Sequence, residues 1–91
     1  MAKNNVIKGV TKSGFSYQLS KDRLNNYELL EAIGEVEESP LALSKALNLM
    51  LGKKQAQQLK DHVRNAEDIV PMDKMEAEMT EMFTSISQVK N

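Results

Sequence analysis

Between Ser39-Pro40 and Gly52 the chain carries Leu41, Leu43, Ala46, Leu47, Leu49, Met50 and Leu51. Wound into a helix, these residues face almost every direction. A helix that is apolar nearly all round has to be enclosed, by its own fold or by an assembly. Its ends are marked: Ser39 as N-cap, Pro40 at the first helical position, Gly52 as the stop. Ninety-one residues must supply that enclosure, of which 41% are hydrophobic. A chain of this length makes one domain, residues 1–91, with a small core.

The flanking segments have clear periods. Val6 to Thr11 is rich in β-branched residues, and Phe15-Ser16-Tyr17-Gln18-Leu19 alternates apolar with polar. Lys12-Ser13-Gly14 between them is a turn signal, so a short β-hairpin is expected with Phe15, Tyr17 and Leu19 facing inward. A lone hairpin is not stable in water, so it must lie on helices or pair its edge with another chain. From Ser20 the period becomes helical. Leu24, Tyr27, Leu30, Ala32, Ile33 and Val36 predict one helix from Lys21 to about Glu38, where Glu35, Glu37 and Glu38 oppose the helix dipole. Ala56, Leu59, Val63 and Ala66 predict a third helix after Gly52, ended by the polar run from Asn65 to Asp68. Ile69-Val70-Pro71 reads as extended. A fourth helix is expected from Pro71 or Asp73 to about Ser87, with Asp73 and Glu76 at capping-box spacing. The fold class is therefore mainly α: a four-helix domain with a short N-terminal β-hairpin. Residues 1–5 and 88–91 are expected to be disordered.

Composition narrows the function. There is no cysteine and one histidine, His62, so disulfides, thiolate metal sites and histidine-based metal clusters have no material. Twelve bases against thirteen acids argue against nucleic-acid binding through bulk charge. No stretch approaches the ~18 apolar residues of a membrane span, and no signal-peptide core is visible. The expectation is a small soluble protein of cytoplasmic type with no cofactor. Charge is nonetheless blocked along the chain. Residues 1–20 hold three lysines and no acid; residues 21–38 hold two bases and six acids; residues 39–68 hold five bases and three acids; residues 69–91 hold two bases and four acids. Such alternation suits head-to-tail self-association, and equally an ordinary solvated surface.

Few residues invite chemistry. His62 has Asp61 beside it in sequence, but neighbours on a helix point about 100° apart, so a structural histidine is expected. Glu28, Glu31 and Glu35 share a helix face without the loop ligands of a cation site. The four glycines form no phosphate loop. Helices two and three around Gly52 have the outline of a helix-turn-helix, whose Lys53, Lys54, Gln57, Gln58, Lys60, Arg64 and Asn65 would face a groove of DNA. Asp61, Glu67 and Asp68 stand on the same helix. The fourth helix is the most informative: Met72, Met75, Met79 and Met82 recur at helical spacing, with Phe83 and Ile86 extending the stripe. Methionine packs against varied partners. Leu43, Leu47, Met50, Met72, Met75, Met79, Met82 and Phe83 are thus the candidate lining of a partner-binding groove, with core packing as the alternative.

The order of elements carries a resemblance. Lys12-Ser13-Gly14-Phe15 leads into a strand, followed by Asn26-Tyr27-Glu28-Leu29-Leu30-Glu31, Glu38-Ser39-Pro40-Leu41-Ala42-Leu43, Leu49-Met50-Leu51-Gly52 and Val70-Pro71-Met72. Over residues 8–86 this resembles the small tail assembly chaperones of siphophages and their prophages in Gram-positive hosts. The resemblance implies a non-enzymatic protein of the host cytoplasm, absent from the mature virion. It implies a protein that binds and solubilises the tape measure protein and helps recruit tail tube protein; a long repeated client is best covered by many copies side by side, which favours self-association into oligomers. It implies a gene just before that of the tape measure protein and, often, a longer frameshifted form. Its motifs are turn, cap and core residues, so no catalytic residue is carried over. The alternatives are a small helix-turn-helix-like DNA-binding regulator and, more remotely, an enzyme accessory subunit.

Overall fold

The computed structural model describes residues 6–89. Two strands, β1 (Val6–Val10) and β2 (Ser16–Ser20), precede helices α1 (Lys21–Leu24), α2 (Tyr27–Glu35), α3 (Leu41–Val63) and α4 (Met72–Val89). The fold is mainly helical with an N-terminal antiparallel hairpin, as the periods require. Ile7 pairs with Leu19, Lys8 with Gln18 and Gly9 with Tyr17. The turn closes through the Gly14 N–H to the Thr11 carbonyl (2.9 Å), with Gly14 at φ 97°. Phe15, Tyr17 and Leu19 are all buried, so the alternation of β2 does set its inward face.

The helices are divided differently from expectation. The helix expected over 21–38 is two. Ser20 caps α1, its side chain accepting the Arg23 N–H, but Asn26 then caps α2 by accepting the Glu28 N–H (2.9 Å). Asparagine competes for backbone donors and favours caps over helix interiors, which is why the run breaks there. α2 ends at Glu35, three residues early, in turns that carry the chain to Ser39. Pro40, with no side-chain cap bond, stands at the start of α3 in place of Ser39, whose carbonyl instead accepts the Ala42 N–H. α3 contains both expected central helices. They meet at Gly52, which takes φ 85° and ψ 158°, a region open essentially to glycine alone. Arg23 lies against Gly52 and its guanidinium donates to the Leu49 carbonyl (3.4 Å), satisfying one acceptor freed by the break. Gln55 spans the same break by donating to the Leu51 carbonyl (3.0 Å).

α3 ends at Val63, before the expected Asn65. A loop organised by Asn65 follows: its side chain accepts from the Glu67 and Ile69 N–H groups, and Asp68 adopts φ 69°. The Pro71 carbonyl accepts the Met75 N–H, so α4 starts at Met72 and Asp73 stands inside its first turn, not at its cap. Gln88 and Val89, expected to be disordered, form the last turn of α4; residues 1–5 and 90–91 lie outside the described residues. One hydrophobic cluster joins all the layers. Leu19 from the hairpin, Leu29 and Ala32 from α2, Ala46, Leu47, Met50, Leu51, Ala56 and Leu59 from α3, and Met75, Met79 and Met82 from α4 meet in it. Of the apolar helix that posed the problem, Ala46, Leu47, Met50 and Leu51 are enclosed by their own chain, Leu43 and Leu49 are half-buried and Leu41 is exposed.

Candidate functional site

That enclosure decides where the eight expected groove residues sit. Leu47, Met50, Met75 and Met82 are buried in the core, so they do not form an exposed lining. The reason is size: a short chain has few large apolar side chains, and α3 needs the methionines of α4 to cover it. Met79 is also buried and reaches the surface only as the floor of a groove. Leu43 and Phe83, both half-buried, line that groove. Met72 is exposed and stands apart from it.

The groove holds about 510 Å³ and runs between the end of α2, the start of α3 and α4. Its walls are Ile33, Val36, Pro40, Leu43 and Phe83, with Glu37 and Glu76 at the rim and no base among its lining residues. Apolar surface continues outward from it. Each three-residue step along a helix turns the face by about 60°, so Ile33, Leu30 and Tyr27 lead from the groove edge to the solvent side of α2. Leu30 is 62% and Tyr27 71% exposed; Leu41 is 84% exposed but lies about 160° round α3 from Leu43, away from the groove. Single exposed apolar residues are ordinary; Leu30 and Tyr27 stand out because they share a helix with the groove wall. Both helices that wall it are acidic: α2 carries Glu28, Glu31 and Glu35 without a base, and α4 carries Asp73, Glu76, Glu78 and Glu81 against Lys74.

The sequence did hold a signal for this surface. Leu24 to Val36 places apolar residues over more of the helix circumference than one core contact can cover. Leu29 and Ala32 take the core side, which leaves Tyr27 and Leu30 outside. In the sequence the stripe predicts only a helix, so Tyr27 and Leu30 are not among the candidate surface residues.

A polar cluster that no sequence spacing announces joins the hairpin turn to the helices. The Ser13 hydroxyl donates to Glu78 Oε2 (2.6 Å) and lies 3.0 Å from His62 Nε2, which is 3.2 Å from the Ser13 carbonyl. The Lys12 N–H donates to Glu81 Oε2 (2.8 Å), and the His62 ring tilts against Phe15 with centroids 5.5 Å apart. Glu78 is only 6% exposed, and its Oε1 has no hydrogen-bond partner. Serine, histidine and glutamate are the residue types of a hydrolytic triad, but the wiring differs. In a triad the acid orients the histidine, and the histidine takes the serine proton. Here the carboxylate holds the serine proton directly, which ties the turn to α4 as a clasp. Among the described residues, no group of three or more histidine and carboxylate side chains is placed to hold a metal ion.

Arg64 and Asn65, two of the residues expected to face DNA, have partners of their own. Arg64 donates to Asp61 (2.8 Å) and lies 3.5 Å from Asp68, so its charge is already countered. The Arg64 guanidinium, with Gln57 beside it, holds the Asp61 carboxyl below the usual carboxylate range. Asn65 is spent on its own loop. Lys54 and Gln58, with Gln55, instead border a trough of about 770 Å³ against Lys8, Val10, Ser16 and Gln18 of the hairpin. Glu28, Glu31 and Glu35 stay exposed along α2. Among the described residues no helix is long and apolar enough to cross a membrane.

Comparison with known proteins gives no match: no family model, curated protein or solved structure is significantly similar to this chain.

Proposed function

We propose that this chain is a non-enzymatic phage tail assembly chaperone. It acts in the host cytoplasm, shields the tape measure protein before the tail is built, helps bring tail tube protein to it, and is left out of the mature virion. The observation that carries the reading is the apolar corner formed by Ile33, Val36, Leu43 and Phe83 with Leu30 and Tyr27 leading out from it along α2. A chaperone for a long apolar helix needs a shallow greasy surface that tolerates many side-chain patterns. Covering one leucine-sized side chain contributes about 1.5–3 kcal/mol, so one corner binds weakly and releases readily. Many copies along one client, in contact with each other, supply the holding strength. The glutamates around the corner keep the free protein from aggregating through it. Of the four cations in the DNA-binding alternative, Arg64 is paired with Asp61 and Asp68.

Co-expression tests the proposal. The tape measure protein encoded next to this chain is expected in the soluble fraction when both are made together, and in inclusion bodies when made alone. Unchanged aggregation overturns the reading. Retention on duplex DNA that falls steeply with salt would favour the regulator instead.

A further inference from the structure

The hairpin offers a second kind of surface, distinct from the apolar corner. In an antiparallel pair, residues whose backbone groups do not bond to each other point those groups outward. Gln18 is such a residue. Its N–H donates to Gln55 Oε1 (2.8 Å) and its carbonyl accepts from Gln55 Nε2 (2.7 Å), so a glutamine side chain from α3 closes the outer edge of β2 as a strand would. Lys8 stands opposite Gln18. Its N–H and carbonyl therefore point away from β2, and by the two-residue period so do those of Val6 and Val10. Among the described residues nothing pairs with that edge of β1.

The side chains on the same stretch are unusual for an open edge. Val6 is 43% and Val10 64% exposed, with Lys8 between them. Open edges are ordinarily guarded by charge, proline or a bulge; here the single guard is a lysine flanked by two uncovered valines. Lys54 joins Lys8 along the trough, where the other lining residues are Gly9, Val10, Ser16, Tyr17, Gln18, Gln55 and Gln58, and no acid is among them.

We propose that the outer edge of β1 is a docking strand for an extended polypeptide segment with an acidic residue flanked at two-residue spacing by apolar ones. The acid meets Lys8, the apolar side chains cover Val6 and Val10, and the main chain completes a third strand. Alternating donors and acceptors call for a peptide backbone; a phosphate backbone has no donor for the edge carbonyls. A second copy is a poor occupant, because two β1 edges paired antiparallel through their middles set Lys8 against Lys8. The inference concerns a different face from the apolar corner and stands whether or not the client there is a tape measure protein.

A blocked peptide of sequence Thr-Val-Thr-Glu-Thr-Val-Thr tests it against the full chain by amide NMR titration. Shifts are expected at Val6, Lys8 and Val10, with slowed solvent exchange of the Lys8 N–H. Replacing the peptide glutamate by lysine, or making Lys8→Glu, is expected to weaken binding about tenfold or more. A peptide N-methylated on its edge-facing amides keeps the charge, leaves the protein untouched, and is expected not to bind. Equal binding of the N-methylated peptide overturns the proposal in favour of charge attraction alone. Shifts confined to Ile33, Leu43 and Phe83, absence of binding to the folded protein, or a dimer built through β1 in sedimentation each overturn it as well.

Discussion

At the corner of α2, α3 and α4, an exposed leucine and tyrosine lie among glutamates; at the hairpin, exposed valines lie among lysines and glutamines. The two regions differ in what they offer a partner. At the corner the backbone groups are occupied within helices, so contact is by side chain alone and no register is imposed. At the hairpin the backbone itself is available, and a strand laid against it must match residue for residue. One surface is built for tolerance, the other for alignment. The two surfaces also differ in charge, acidic where the molecule is greasy and basic where its sheet is open.

The largest effects should separate core from corner. Met82→Ala removes a fully buried side chain from the centre of the cluster and is expected to cost about 2–5 kcal/mol in denaturant unfolding. Tyr27→Ser and Leu30→Ser on the corner are expected to stay within about 0.5 kcal/mol of the parent while losing client rescue. Equal destabilisation by all three would erase the distinction between core and surface. Next comes the join between the two regions. Gly52→Ala forces a side chain into φ 85°, ψ 158° against Arg23 and is expected to cost about 1–3 kcal/mol, read as a lower midpoint with an unchanged slope.

A smaller effect sharpens the hairpin side. Ser13→Ala removes the only hydrogen-bond donor on Glu78 among the described residues and leaves a buried carboxylate without one. The expected loss is about 1–3 kcal/mol at most, with faster amide exchange confined to residues 11–15 and the Lys12 N–H. The smallest concerns Asp61, whose carboxyl Arg64 holds low. A group depressed in the folded state contributes above its unfolded pKa, and that contribution fades as pH falls through the folded one. Arg64→Ala should therefore raise the Asp61 titration midpoint toward its ordinary value in carbon-detected NMR, with little change in stability because the group is exposed.

The fold was largely legible in the sequence because its signals are local. Alternation in β2, the Ser20 cap, the stop at Gly52 and the stripe of α4 each act over a few residues. Asn26 is also a local signal, and reading the apolar stripe through it hid the break between α1 and α2. The surface proposed for a client was harder to read for a different reason. Whether Met75 or Leu30 faces solvent depends on how many other elements compete to cover α3, which no helical period encodes. The methionine stripe and the Leu24 to Val36 stripe look alike on paper; packing made one the core and left half of the other outside. The clasp of Ser13, His62 and Glu78 depends on three distant positions meeting and has no sequence signature.

The central claim is that a client meets the α2–α3–α4 corner. A photo-crosslinking residue placed at Leu30, compared with one at Asp61 near the end of α3, tests it during co-expression with the tape measure protein. The account predicts a covalent adduct with the tape measure protein from position 30 and none from position 61. Adducts of equal yield from both positions, or an adduct from position 61 alone, would contradict it.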